Sequence, residues 1–147
     1  MNKFFDIFNP ARLIIVCCVI LFSHATTADI AIVVNPNSSE SSISTSHAKK
    51  VFLGKKTAFT SGNTATAVDQ PEGSDLRNTF YQKLSNKNEA QMKAYWSRMI
   101  FSGKATPPHI VADDTAVKAW LASQSDGIGY IDSSAVDESV KVLLMIK

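Results

Sequence analysis

An apolar run of ten residues, Leu13 to Phe22, divides the chain into two unequal parts. Lys3 and Arg12 precede this run, and small, mostly polar residues follow it as far as Ala28. A basic start, a short apolar run and small residues at the end are typical of a cleaved secretory signal peptide. The alternative is an uncleaved membrane anchor, but the run is much shorter than the roughly 20 apolar residues that span a bilayer.

This pattern predicts a signal peptide at residues 1–28 and a mature domain at residues 29–147. Cleavage is expected after Ala28, with Ala25 as the second choice. Both cysteines of the chain, Cys17 and Cys18, lie in the discarded part. The mature domain is therefore expected to have no disulfide, no thiolate nucleophile and no cysteine ligand for zinc. We expect it to be periplasmic, without stable insertion in the membrane after cleavage.

The charge balance argues against a nucleic-acid-binding protein. The chain has 15 Lys+Arg and 13 Asp+Glu, which gives a formal net charge of +2. Proteins that bind nucleic acid usually carry a concentrated excess of positive charge, so no nucleic-acid partner is predicted. With 45% hydrophobic residues, the chain also has enough apolar side chains to build a folded core.

Hydrophobic periodicity and capping residues predict nine elements in the order β-α-β-α-α-β-α-β-β. The β-branched run at residues 30–34 is expected to be a buried strand that pairs in parallel. The order indicates the α/β class, with a mixed, mainly parallel sheet flanked by helices. Strands are expected at residues 30–34, 65–68, 110–111, 127–131 and 140–146, and helices at 44–53, 76–84, 86–102 and 113–121.

The most informative segment for function lies between the second strand and the helix that follows it. Gly73 and Ser74 stand where the N–H groups and the positive end of a helix dipole would meet, which suits a small oxyanion. Ser74 could add a hydroxyl and Arg77 a positive charge, whereas Asp75 places a negative charge beside the anion. The alternative is structural, because Ser74 could serve only as a helix N-cap and Arg77 could lie in solvent.

A second candidate site is the turn that contains Ser38 and Ser39, directly after the first strand. Ligands of open α/β sheets collect outside the carboxyl ends of the strands, and a strand ends just before this turn. An ordinary polar turn explains the same residues.

The sequence gives little support for catalysis. The predicted mature domain has two histidines, His47 and His109, and they show no spacing typical of a catalytic pair or a metal site. It has no Gly-x-Ser-x-Gly elbow and no phosphate-binding Gly-x-x-x-x-Gly-Lys motif. No enzymatic activity, no metal and no cofactor are therefore predicted.

Four motifs in order give the chain a family resemblance. It resembles the PstS-like phosphate-binding proteins of bacterial ABC transporters, which have the type 2 periplasmic-binding-protein fold. The motifs are Val51-Phe52-Leu53-Gly54-Lys55, Gly73-Ser74-x-x-Arg77-x-x-Phe80-Tyr81, Tyr95-Trp96 with Phe101-Ser102-Gly103-Lys104, and Gly127-Ile128-Gly129-Tyr130-Ile131.

The resemblance implies a phosphate ligand and an ABC transporter permease as partner, but the chain departs from the family in two ways. Family members have two lobes, whereas this chain has little more than the length of one. They also carry Arg just before the anion loop and Ser-Gly-Thr within it. Here Gln70 stands near the position of that Arg, and Ser74-Asp75-Leu76 replaces the tripeptide.

Two functional hypotheses follow. The first is an exported solute-binding protein for phosphate or a related small oxyanion, which would serve an ABC-type phosphate uptake system. Its expected ligand-binding residues are Gly73, Ser74, Asp75, Arg77, Ser38 and Ser39. The alternative is a degenerate member that no longer binds ligand and acts as an envelope protein-interaction module, for example as an accessory to an envelope sensor protein.

Overall fold

The computed structural model describes residues 28–147, so the expected signal peptide and both cysteines lie outside the described residues. Five strands and four α-helices follow one another in the predicted order. They are β1 (Ile30–Val34), α1 (Thr45–Phe52), β2 (Thr66–Asp69), α2 (Asp75–Ser85), α3 (Glu89–Phe101), β3 (His109–Ile110), α4 (Asp114–Ser123), β4 (Gly127–Asp132) and β5 (Lys141–Ile146).

The five strands form one sheet in the order β3-β2-β4-β1-β5. β2 is parallel to β3 and β4, whereas β1 is antiparallel to both of its neighbours, β4 and β5. Four strands therefore point the same way and β1 alone is reversed, which confirms the mixed, mainly parallel sheet.

The prediction that β1 pairs in parallel is wrong. All five residues of β1 are fully buried, because the strand lies between two others and is covered on both faces. A continuous apolar run predicts that a strand is buried on both faces, but it does not predict the strand's direction. An antiparallel strand inside a covered sheet is buried on both faces as well.

Helices cover both faces of the sheet. Alternate residues of β1 point to opposite faces: Ile30 and Ile32 join the larger core cluster, and Ala31 and Val33 join the smaller one. α1, α2 and α3 pack on the first face and α4 packs on the second. The predicted layers, a sheet flanked by helices, are confirmed.

Polar side chains set the starts of the helices. Ser44, Ser74 and Asp113 cap α1, α2 and α4 as the sequence predicts. The prediction that Asn86 opens α3 is wrong, because Asn86 has φ +55° and closes α2. Asn88 opens α3 instead, through a reciprocal capping box with Gln91.

Within residues 28–147, no helix combines the length and the apolar character needed to cross a lipid bilayer.

Candidate functional site

The carboxyl ends of β2, β3 and β4 meet at one edge of the sheet, because these three strands are parallel. β2 ends at Asp69, a short loop follows, and α2 begins at Asp75. The first turn of α2 therefore lies at the sheet edge where ligands of α/β proteins usually bind.

Ser74 lies at the start of α2 and caps it. Its hydroxyl oxygen accepts a hydrogen bond from the Arg77 backbone N–H at 3.3 Å. Gly73, with φ +83°, turns the chain into this position. A serine hydroxyl has one donor as well as its acceptor sites, so capping leaves the O–H of Ser74 able to donate to an anion. Ser74 is partly exposed, and Gly73 and Asp75 are exposed.

Arg77 points inward rather than into solvent. Its Nε donates to Asp69 Oδ2 at 3.1 Å, and the two side chains are 4% and 2% exposed. The guanidinium also lies over the Tyr81 ring, with its central carbon 5.1 Å from the ring centroid. Arg77 thus provides a fixed, buried positive charge behind the first turn of α2, and Asp69 balances it.

Asp69 accepts four hydrogen bonds, two on each carboxylate oxygen. Oδ1 accepts from the Tyr130 hydroxyl at 2.5 Å and from the Gln70 backbone N–H at 2.8 Å. Oδ2 accepts from the Tyr81 hydroxyl at 2.9 Å and from Arg77. The buried charge of Asp69 is therefore fully hydrogen-bonded, as a charge in a protein interior must be.

The buried groups have shifted pKa values. Burial, followed by the negative charge of Asp69, raises the pKa of both Tyr81 and Tyr130. Burial alone would lower the pKa of Arg77, but the Asp69 carboxylate and Tyr81 raise it above its ordinary value. Arg77 is charged and both tyrosines are neutral at physiological pH.

Gln70, which stands near the expected family Arg, makes only internal contacts. Its amide nitrogen Nε2 donates to Asp114 Oδ1 at 2.7 Å and to the Tyr130 carbonyl at 3.3 Å. The other oxygen of Asp114 accepts from the Asp132 backbone N–H at 3.1 Å. Gln70 therefore links β2 to α4 and β4 and brings no positive charge to the sheet edge.

Ser38 and Ser39 lie at the opposite edge of the sheet. Because β1 is reversed, its carboxyl end at Val34 lies beside Ile128, near the amino end of β4. There the Ser38 carbonyl accepts from Lys141 Nζ, and the Ser39 hydroxyl accepts from Asn63 Nδ2 at 3.1 Å. The structure brings Gly73, Ser74, Asp75 and Arg77 together in one segment, and it separates Ser38 and Ser39 from them.

Sequence reasoning missed Asp69, Tyr81, Tyr130 and Asp114 as members of the site. Tyr81 lies one helical turn after Arg77, at a spacing that places both on one face of α2. Asp69 and Tyr130 are 61 residues apart, and no local pattern could have paired them. In the described part of the chain, no group of three or more His, Cys, Asp or Glu side chains is placed to hold a metal ion.

Comparison with known proteins gives structural matches only. No protein-family model matches the chain. No curated protein matches it either. Three solved structures resemble it with TM-scores of 0.62, 0.62 and 0.59 and sequence identities of 21%, 17% and 14%.

The first is a protein from Clostridium perfringens described as a phosphate ABC transporter substrate-binding protein, with bound phosphate. The others are an ABC-type phosphate transport receptor from Vibrio cholerae and PstS from Borrelia burgdorferi. Each match covers 79% of this chain but only 45%, 46% and 47% of the other chain, respectively.

The chain therefore has the fold of PstS-like phosphate-binding proteins, as the sequence motifs predicted, and spans less than half the length of these neighbours.

Proposed function

We propose that this chain is an exported solute-binding protein for phosphate or a related small oxyanion. The observation that supports the proposal is the Gly73-Ser74 turn at the start of α2, at the sheet edge where ligands of α/β proteins usually bind. The fold is shared with proteins described as phosphate-binding components of ABC transporters, which supports the same ligand class here.

The anion would be held by the first turn of α2. The Ser74 hydroxyl and the backbone N–H groups of the first turn would donate to it, and the helix dipole favours a negative charge there. Arg77 lies behind this turn, but its charge is balanced by Asp69. Non-covalent binding requires no reaction, so we propose no enzymatic activity.

Two acidic residues limit the affinity of this site. Glu72 and Asp75 are exposed on either side of Gly73 and Ser74, and like charges repel an anion. A neutral Gln70 also replaces a guanidinium that could bind an oxyanion through two hydrogen bonds. We therefore expect weak binding of phosphate.

Calorimetric titration of the purified protein with phosphate, sulfate and arsenate tests the proposal. Phosphate should release or absorb heat and raise the melting temperature by mass action. Ser74→Ala should weaken phosphate binding about tenfold or more, because it removes a hydrogen bond to a charged group. The absence of both heat and a melting shift at millimolar concentrations of all three anions would refute the proposal.

Ser74→Ala also removes a helix cap, so a matched control is needed. Ser44 caps α1 through an equivalent hydrogen bond, 3.2 Å long, to the His47 backbone N–H. Ser44→Ala should lower stability by a similar amount, about 1 kcal/mol, and leave phosphate binding unchanged. Equal loss of phosphate binding in both variants would assign the effect to stability alone.

Export is part of the proposal and has its own test. Fractionation of the producing cells should place the mature protein in the periplasm, and its mass should correspond to a first residue of Asp29 or Thr26. A full-length chain that remains with the membrane fraction would support the uncleaved anchor instead.

The second candidate function is an envelope protein-interaction module, and one observation favours it. Phe101 is 96% exposed at the end of α3, and Ile100 beside it is 57% exposed. Exposed neighbouring apolar side chains are typical of contact surfaces. A partner such as a transporter permease or a sensor protein should then be recovered from an envelope extract with or without phosphate. Phe101→Ser should abolish that recovery, and failure to recover any partner would argue against this candidate.

A further inference from the structure

A cavity of about 230 Å³ lies between α2, α3 and the segment at residues 107–110. It borders the inner side of the loop that leads into α2, since Asp69 and Glu72 contribute to its lining. None of the contacts described above fills this space.

Two positively charged side chains, Arg77 and Lys93, contribute to the lining of the cavity. Arg77 is 4% exposed and donates through Nε to Asp69, whereas its two terminal nitrogens have no hydrogen-bond acceptor among the described residues. Lys93 makes no ion pair within the same residues. Two unpaired guanidinium nitrogens can bind an oxyanion through two parallel hydrogen bonds.

Two carboxylates also border the cavity, and they differ in how strongly they would repel an anion. The charge of Asp69 is already compensated by Arg77 and by two tyrosine hydroxyls. Glu72 is exposed, so solvent screens its repulsion. An anion here would therefore accept hydrogen bonds from the terminal nitrogens of Arg77, whose charge Asp69 balances, and would gain from the positive charge of Lys93.

The remaining lining residues are apolar except for Ser97. They include Trp96 and the rigid pair Pro107 and Pro108. Ile100 and Ile110 line the cavity although they are 57% and 51% exposed, so they gain if a ligand covers them. The cavity thus combines two cationic side chains with a partly exposed hydrocarbon surface.

The volume matches a ligand larger than an inorganic oxyanion. It corresponds to about eight water molecules at about 30 Å³ each, and it is smaller than the roughly 300–1,000 Å³ of most small-molecule pockets. Phosphate alone would contact Arg77 and Lys93 and leave the apolar side chains uncovered.

We propose that this cavity binds a small organic oxyanion with a short alkyl tail, and that the ligand class is a short-chain alkylphosphonate. The phosphonate oxygens would accept from the Arg77 guanidinium and from Lys93, and the alkyl tail would lie against Trp96, Ile100 and Ile110. This inference rests on the proposed function for its ligand class, an oxyanion, but it assigns a separate position, because Gly73 and Ser74 do not line the cavity.

Calorimetric titration of the full chain with phosphate, methylphosphonate and propylphosphonate tests the inference. Each methylene that is buried should tighten binding about fourfold, so propylphosphonate should bind several-fold more tightly than methylphosphonate. Equal or weaker binding of propylphosphonate would overturn the inference, whatever the affinity for phosphate.

A variant tests the contribution of the alkyl tail separately from that of the phosphonate group. Ile110→Ser should reduce the advantage of propylphosphonate over methylphosphonate at least several-fold and leave phosphate binding unchanged. Met145→Ser is the matched control, because Met145 is 40% exposed on β5 and does not line the cavity. Retention of the full advantage in Ile110→Ser would contradict the assignment of the tail.

Tryptophan fluorescence measures ligand binding near the cavity, and it remains usable if the variant is slightly less stable. The chain has two tryptophans, so Trp120→Phe leaves Trp96 as the single reporter. Propylphosphonate should change the Trp96 emission in this background, and an unchanged emission at saturation would overturn the inference.

The outcomes distinguish the two proposals. Phosphate binding without a gain from the alkyl tail refutes the cavity assignment and leaves the proposed function standing. The absence of binding by every oxyanion refutes both, and binding of propylphosphonate alone supports the cavity.

Discussion

At the residue scale, Asp69 is the center of the buried part of the site. Its carboxylate accepts from one guanidinium, two tyrosine hydroxyls and one backbone N–H. These donors come from α2, β4 and the loop after β2, so this one side chain ties three parts of the fold together. The network fixes the loop that leads to Ser74.

Removing the charge of Asp69 should destabilise the protein strongly. Asp69→Asn leaves Arg77 buried without a counter-charge, and breaking a buried ion pair in this way costs about 3–5 kcal/mol. Tyr81→Phe removes one hydrogen bond to the charged carboxylate and keeps the ion pair, so it should cost less, about 2 kcal/mol. Urea unfolding measures both values, and an equal loss in the two variants would contradict the assigned role of the charge.

The two buried tyrosines predict a loss of stability at alkaline pH. The pKa of each is raised in the folded chain, so the unfolded chain ionises first as the pH rises. Their stabilising contribution is present below the unfolded tyrosine pKa of about 10 and falls above it. Above pH 10, each tyrosine should therefore lower the free energy of unfolding by about 1.4 kcal/mol per pH unit.

Chemical unfolding at pH 9, 10 and 11 measures this slope, the change in the free energy of unfolding per pH unit. Tyr130→Phe should reduce the slope by the contribution of one tyrosine. Tyr95 cannot serve as the control position, because its pKa is also raised by burial. Stability that stays constant from pH 9 to pH 11 would contradict the prediction.

Local sequence patterns predicted only the part of the site that is close in sequence. The Gly73-Ser74 turn and the Ser74 cap follow from nearest-neighbour chemistry, and both are present in the structure. The direction of Arg77 depends on Asp69, on the other side of the loop, and Asp69 is in turn held by Tyr130, which is far away in the chain. A solvated arginine and a buried one have the same local pattern.

At the element scale, α4 packs closely on β4 because β4 has glycines at the contact. A Cβ on Gly129 would lie 2.8 Å from both Val117 and Val68, and one on Gly127 would lie 2.7 Å from Trp120. These glycines are not needed for backbone conformation, since neither has a positive φ. They are needed because a side chain at either position would clash with its neighbours.

Gly129→Ala should therefore destabilise the protein by about 1–3 kcal/mol, the usual range for overpacking a core. Gly103 is the contrasting position, because it has φ +67° and open space where a side chain would begin, so Gly103→Asn should be well tolerated. Thermal unfolding compares the two variants. A Gly129→Ala protein as stable as the parent would show that α4 can move away from the sheet at no cost.

Element order could be predicted from the sequence, but strand direction could not. All nine elements follow from periodicity and turn residues, and the structure has the same order. The direction of β1 depends on which strands lie beside it, and its neighbours are the last two strands of the chain. This reversal is also what separates Ser38 and Ser39 from the α2 site.

At the scale of the whole molecule, the described residues form one sheet with helices on both faces. The match covers only 45%, 46% and 47% of the three similar structures. Within residues 28–147 no second lobe is present to close over a ligand. The site at α2 is therefore open to solvent in the structure described.

We expect residues 29–147 to fold by themselves into a particle with a radius of gyration of about 14 Å. Phosphate should leave this radius unchanged, because binding on one lobe requires no domain closure. Small-angle X-ray scattering with and without phosphate measures both values. Contraction of the monomer on adding phosphate would contradict the single-lobe description.

The position of β1 has a consequence for the order of events during synthesis. β1 emerges from the ribosome before every other described element, yet its partners are β4 and β5, and Ile30 pairs with Ile146 near the end of the chain. The center of the sheet is therefore incomplete until residue 146 has been synthesised, and pairing at such long range is slow. We expect β1 to remain unpaired while the residues between it and β4 are synthesised.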